Sequence, residues 1–233
     1  MSDEKEILRL LDLPANKLLN EFGKGGHIPG SGSAAALSAL VGLELVRTVC
    51  KLTRKKPQYS DVHAQMKFIE EELESKYKPQ VIQIFYNDSI EFGKVSDLRV
   101  LRDKEVDKSK KEKLGREAAE QLRKATEIPI ELCKMCFKLM EYAIAIFDNG
   151  YKATRGDAGV AISNFLSAIS GTLFVIMLNI RVAKKSKWTE EKRKESEQLG
   201  NDYLKIHREA FKRVVGLYSE GLPDGQTNIP FEQ

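Results

Sequence analysis

The sequence predicts an all-α protein, a bundle of long, kinked helices. Three observations carry this. Apolar residues recur at helical spacing through nearly the whole chain, no stretch alternates as a strand would, and the breaks between periodic runs hold glycine, proline or dense charge. At 233 residues, 42% hydrophobic and 31% charged, the chain is long enough to bury a core and short enough to be one domain, with a short C-terminal tail from about residue 221.

The elements follow in order. Between Glu4 and Phe22, Ile7, Leu8, Leu11, Leu18, Leu19 and Phe22 fall mostly on one helical face, interrupted at Pro14. A glycine-rich loop follows, and Ala34 to Leu52 is an apolar, small-sided run that calls for burial on several faces. "RKKPQYSD" ends it, with Ser60 a candidate cap for the next helix. That helix carries Met66, Ile69, Leu73 and Tyr77, then Ile82, Phe85, Ser89 and Phe92 beyond a kink expected at Pro79.

The charge run "LRDKEVDKSKKEKLGREAAEQ" is either a solvated helix end or a mobile connection. From Leu114 to Ile146 the helical period returns, with Pro129 as a second kink, and Asn149-Gly150 is a stop signal. Ala158 to Ile180 is uncharged, and Trp188 to Tyr218 is amphipathic and charged. The uncharged run has the length of a membrane span, yet Ser163, Asn164, Ser167, Ser170 and Asn179 are spread through it. Small residues at Gly159, Ser163, Ser167, Ala168 and Gly171 instead suit a close helix crossing in a bundle or subunit interface.

Composition excludes several classes. A formal net charge of +4, from 38 basic and 34 acidic residues, makes no field that calls for nucleic acid, and no membrane partner is expected. Three cysteines fit a reducing compartment, and the charged start "MSDEKEILRL" has no apolar leader core, so a cytoplasmic location is expected. Cys133 and Cys136 form a C-x-x-C on an apolar helix face without a second pair, which suits core packing; no metal site is expected.

Two segments combine a glycine-containing loop with an uncharged helix. In the first, Gly23, Gly25, Gly26, Gly30 and Gly32 precede a helix N-terminus with Ser31 or Ser33 as cap. Exposed backbone N–H groups and the dipole end there suit an anion or a developing negative charge. It is neither a P-loop, which needs Gly-Lys-Ser/Thr at its end, nor a dinucleotide fingerprint, which follows a strand. A plain helix-to-helix connection is the alternative. His27 is the histidine best placed to titrate near a ligand. In the second segment, Asp157 opens a helix with Arg155 beside it, either as a dipole partner or as a carboxylate that moves protons.

Four stretches together carry a resemblance. "HIPGSGSAAALSALVGLELV" resembles the P-x-P-G-G-G-S-x-A-A-L-x-G-A-L signature of the formiminotetrahydrofolate cyclodeaminase and methenyltetrahydrofolate cyclohydrolase family. "NDSIEFGKV" resembles its D-x-x-A-F-x-x-V, "ATEIPIELC" its A-x-x-V/I-P-L, and "GDAGVAISNFLSAISGTLFVIMLNI" its S-D-A-G-V-G/A segment. Their order and spacing match from about Leu18 to Ile180.

The resemblance implies an up-and-down helical bundle that dimerises, a homodimer or higher oligomer, and that binds folate where the glycine loop meets the helix of the motif aspartate. It assigns Pro29, Gly30, Gly32 and Ser33 to the loop motif, Asp88 to the middle one, Asp157 to the third, and Asn179 to a matching asparagine. Asp157 and Asp88 become the catalytic candidates. His27, Pro29, Gly30, Ser31, Gly32, Ser33, Arg155 and Asn179 become the substrate-binding ones. Lys24 and Arg155 are cations within the motif segments that suit the glutamate tail of folate. No cofactor beyond the tetrahydrofolate substrate is implied. Four departures stand out: Ser31 in place of a glycine, Gly156 of a serine, Val175 of a common asparagine, and "GYKAT" of a Gly-Asn loop opening. Two other readings remain open here: a folate-binding relative without turnover, and a helical interaction protein using "KKSKWTEEKRK" on an acidic surface.

Overall fold

A computed structural model describes residues 9–220, with no side-chain description of 219 and 220; the start of the first predicted helix, with Ile7 and Leu8, and the tail from 221 lie outside the described residues. All regular structure among the described residues is helical. After a short turn at Leu10–Asp12, the helices are α1 (Ala15–Gly23), α2 (Ser31–Arg54), α3 (His63–Glu72), α4 (Lys78–Lys104), α5 (Lys108–Asn149), α6 (Arg155–Val182) and α7 (Lys187–Glu220). Helix α6 packs against α2, α5 and α7, while α4 lies against α2 and α5.

Each break has a local cause. Pro14 stands as the residue before α1, where its missing N–H costs no hydrogen bond. Ser60 does not cap the next helix: Pro57–Val62 forms a 3-10 turn, and α3 starts at His63 with no side-chain cap. At Pro79 the chain accommodates the missing donor through a π-helical turn, Leu73–Tyr77, so that the Lys78 N–H reaches the Leu73 carbonyl. The charge run resolves into two helix ends. Helix α4 stops at Lys104, and the Asp107 carboxylate accepts the Lys110 N–H at 2.8 Å to start α5. Helix α5 ends at Gly150, where an added Cβ would fall on the Ile146 carbonyl.

The core is formed by fully buried Leu43, Met66, Leu73, Phe85, Leu132, Leu139, Phe165 and Ile169, among others. Cys50, Cys133 and Cys136 are all buried. Burial raises the Cys50 thiol to about 12 and Cys133 to about 11, and pushes Cys136 up as well, so these sulfurs act as small apolar groups. Helices α2 and α6 cross closely at Gly42, where an added Cβ would lie 3.0 Å from the Phe165 ring and 3.2 Å from the Ala161 carbonyl. At the other end of the same crossing, Gly171 faces Ala35, so the two helices run antiparallel. Arg213 of α7 holds Asp148 of α5 through Nε at 2.9 Å and Nη2 at 2.5 Å. Lys192 and Glu195 of α7 pair with Glu127 and Lys134 of α5.

This crossing gives a stability prediction. Gly42→Val should destabilise the fold by about 1–3 kcal/mol, since neither the ring nor the carbonyl has room to give. Urea unfolding of the variant against the wild type measures it.

Candidate functional site

The N-terminus of α2 is capped by another helix. Gly30 stands in the N-cap position with no side-chain bond of its own, and neither Ser31 nor Ser33 caps its own helix. Instead the Asp88 carboxylate, from α4, accepts the Ser33 N–H at 2.9 Å. Ser33 is the third residue of the helix, where a capping side chain usually finds its donor. The Ser33 hydroxyl lies 2.9 Å from the Phe85 carbonyl, 2.9 Å from Ser89 Oγ and 3.2 Å from Asp88 Oδ2. It has one proton, so it donates to one of the Phe85 carbonyl, Asp88 and Ser89 Oγ at a time, and it can accept from Ser89 when it donates to either of the first two. That rotation lets the same hydroxyl serve an ionised or a protonated carboxyl.

Asp88 is only 8% exposed. Burial pushes its pKa above the ordinary aspartate range, and the two hydrogen bonds from Ser33 pull it part of the way back. Close approach is essential on the loop side, because a methyl group on Gly32 would fall inside the carboxylate. The loop itself turns at Gly25, where φ is +77°, and Gly30 packs with only 3.0 Å between an added Cβ and the His27 carbonyl.

Asp88 lies in the wall of a cleft of about 320 Å³, within the range of small-molecule sites. The loop supplies Gly26, His27, Gly30, Ser31 and Gly32; α4 supplies Asp88, Ser89 and Phe92; α5 supplies Ala125; and α6 supplies Val175, Leu178 and Asn179. Of the residues expected from sequence, His27, Gly30, Ser31, Gly32, Asp88 and Asn179 are brought together here. Ser33 stands behind Asp88 as its hydrogen-bond donor, and Pro29 is buried beneath the loop rather than lining the cleft.

Asp157 and Arg155 are elsewhere. Both are in the first turn of α6, whereas Asn179 is near its last. The 22 residues between Asp157 and Asn179 span about 33 Å at the helical rise per residue. Within one chain, therefore, the helix of the third motif reaches the glycine loop with its C-terminal end and not with its aspartate. The helix of the third motif thus meets the loop as expected, while Asp157 and Arg155 stand away from the cleft of their own chain; the Arg155 guanidinium lies 5.4 Å from the Phe147 ring centre. Lys24 is paired with Glu21 at 2.5 Å. Two of the sequence departures, Ser31 and Val175, fall inside the cleft and make it, respectively, more polar at the loop and less polar on α6.

Sequence reasoning missed Ser89, Phe92, Ala125 and Leu178 as lining residues. Phe92 was detectable, since it follows Asp88 by four residues and so shares its side of α4, whereas Ser89, one residue on, is turned about 100° away.

A model of the family described as formiminotransferase-cyclodeaminase matches residues 14–198. The chain belongs to this family. Among curated relatives, a methenyltetrahydrofolate cyclohydrolase from Methylorubrum extorquens is 29% identical over 181 residues, covering 78% of this chain and 86% of that protein. Among solved structures, the formiminotetrahydrofolate cyclodeaminase from Thermotoga maritima superimposes with a TM-score of 0.77, covering 90% of this chain and 99% of that one. At 17% identity that likeness supports the helical fold.

The elevated Asp88 fixes a sign for stability against pH. As pH rises from the ordinary aspartate value, an unfolded Asp88 loses its proton first while the folded one keeps it. Stability relative to Asp88→Asn should therefore fall through that window, by about 1.4 kcal/mol for each unit of elevation. Urea midpoints of both proteins across acid to neutral pH measure the difference. Gly32→Ala should displace the carboxylate and abolish this pH-dependent difference.

Proposed function

We propose that this chain is a one-carbon folate enzyme that works at the 5,10-methenyl bridge of tetrahydrofolate, with Asp88 as its proton-transfer group. The observation that carries the reading is the buried carboxyl at the N-terminus of α2, facing a cleft of small-molecule size. A carboxyl whose pKa is raised toward the working pH exchanges protons more effectively than an ordinary surface aspartate. Family membership and the cyclohydrolase relative support the substrate class.

In the hydrolytic direction, ionised Asp88 takes a proton from water as the water oxygen bonds to the bridge carbon. The hydroxyl proton of the resulting carbinol then passes to N5 as the N5–carbon bond breaks, leaving a neutral N5–H, and 10-formyltetrahydrofolate forms with net release of one proton. The cyclodeaminase direction meets at the same carbon: N10 of 5-formiminotetrahydrofolate attacks it, loses its proton to the carboxylate, and that proton goes to the departing amine as ammonia leaves. The hydrolytic reaction is the first reading because the 29%-identical relative carries that name; the family description keeps the second.

Neither reaction transfers electrons, and the bridge carbon is already electrophilic, so proton transfer and positioning account for both without a further cofactor. Asn179, 7% exposed on the cleft wall, offers a donor and an acceptor to the folate heterocycle. His27 and Ser31 lie on the open loop side, where ligand polar groups meet solvent.

The methenyl chromophore provides the assay. Accelerated decay of 5,10-methenyltetrahydrofolate establishes the cyclohydrolase, chromophore growth from 5-formiminotetrahydrofolate the cyclodeaminase, and silence with both substrates overturns the proposal. Asp88→Asn should lower kcat/KM by about 10²–10⁴-fold. It should also remove the acid limb of the pH profile, in which wild-type activity rises as Asp88 ionises.

A further inference from the structure

The two oxygens of Asp88 are not equivalent. Oδ2 accepts both bonds from Ser33, the backbone N–H at 2.9 Å and the hydroxyl at 3.2 Å, whereas no donor among the described residues reaches Oδ1. Behind Ser33 stands Ser89, whose hydroxyl oxygen is 2.9 Å from that of Ser33. Ser33 is 0% exposed and Ser89 1%, so neither hydroxyl has bulk water as an alternative partner.

Burial fixes which way these hydroxyls point. Each carries one proton, and a buried proton left without an acceptor costs more than a hydrogen bond gains. Among the described residues, Ser33 Oγ is the one side-chain partner of Ser89 Oγ. If Ser89 accepted from Ser33, its own proton would be stranded, and the Ser33 proton would be turned away from Asp88. If Ser89 donates, every proton has an acceptor: Ser89 gives to Ser33, and Ser33 gives to Asp88 Oδ2 or to the Phe85 carbonyl. By the helical pattern of α4 that carbonyl already accepts the Ser89 N–H, so an ionised Asp88 is the stronger acceptor for the Ser33 proton.

We infer that Ser89 is a positioning residue for Asp88: its hydroxyl donates to Ser33 Oγ, which removes one of the three acceptors open to the Ser33 proton and directs that proton to Oδ2. Oδ1 is then the oxygen that exchanges a proton with the cleft. Donors in a chain polarise one another, so the bond from Ser89 strengthens the one that Ser33 gives to the carboxylate. Ser89 adjoins Asp88 in sequence, yet it acts on it through a residue of another helix. Its part in catalysis rests on Asp88 being the proton-transfer group; the order of the hydrogen bonds does not.

Few other charges face Asp88. Helix α2 carries no charged residue before Glu44, and the cleft lining from the loop, α5 and α6 holds no titratable side chain except His27. On α4, Glu91 is engaged by Lys94 and Gln121, and Lys124 of α5 acts on it as well. Lys24 is paired with Glu21, and Arg181 lies outside the cleft lining. All of these groups are common to the variants compared, so differences between variants report the serines.

The test is a double-mutant cycle on the Asp88 titration, followed by carbon-13 NMR of aspartate-labelled protein without any folate. Ser33→Ala should raise the midpoint by about one pH unit, tenfold in proton affinity, because the ionised carboxyl loses a charge-assisted bond. Ser89→Ala should raise it by about 0.3 unit, twofold, the share that one bond in a chain lends the next. In the Ser33→Ala background, Ser89→Ala should have no effect, since Ser89 acts only through Ser33. An equal shift in both backgrounds would mean that Ser89 acts by packing, and overturns the proposal. A midpoint that falls in Ser89→Ala would mean that Ser89 accepts the Ser33 proton, and a midpoint that does not move would mean that the two are uncoupled; either overturns it. The acid limb of the kcat/KM profile should move with the midpoint in each single variant. Midpoints that shift as expected beside a limb that stays fixed would remove Asp88 from the proton-transfer step and leave the hydrogen-bond order standing, whereas a failed cycle leaves the folate assignment untouched.

Discussion

The hydrogen bond from the Ser33 backbone to the Asp88 carboxylate is the constraint on which the site depends. A helix N-terminus leaves backbone donors without partners, and α2 supplies no capping side chain of its own. The acceptor comes from α4 instead, 55 residues along the chain. That arrangement fixes the register of α2 on α4 and removes Asp88 from water. It also requires a residue without a side chain at position 32. Stability and reactivity are thus joined in one group: the carboxyl that completes the helix end is the one whose proton affinity burial raises.

The rest of the bundle holds that contact in place. The close passage of α2 over α6 at Gly42 and Gly171 brings the α2 N-terminus down beside Val175, Leu178 and Asn179. Helix α5 closes the far side with Ala125. Helices α4, α5 and α6 and the glycine loop therefore converge at the C-terminal part of α6. The outward face of α6 is as apolar as its inward side is small.

Helix identity was legible from sequence because hydrophobic spacing sets it locally: the runs at Ala34–Leu52, Leu114–Ile146 and Trp188–Tyr218 all fall inside observed helices. Local exceptions were less legible. The structure answers Pro79 with a π turn, which depends on how the preceding turn relaxes, and Ser60 lost its capping role to a 3-10 turn that starts at Pro57. In the site, the glycine loop and Asp88 were found as separate motifs, but their union rests on a tertiary hydrogen bond that no spacing rule encodes. Ser33 was expected as a cap and instead orients the group that caps. Asp157 shows the opposite limit. A motif aspartate and a motif asparagine on one helix look adjacent in sequence patterns, yet the helical rise sets them at opposite ends of α6.

The most direct test of the central claim is the titration of the Asp88 carboxyl itself. Carbon-13 NMR of aspartate-labelled protein, with the signal assigned by its loss in Asp88→Asn, follows this group with and without a bound tetrahydrofolate analogue. The account requires a midpoint above the ordinary aspartate range in the free protein and a further change when the ligand fills the cleft. A midpoint at or below the ordinary range, unmoved by ligand, would contradict it.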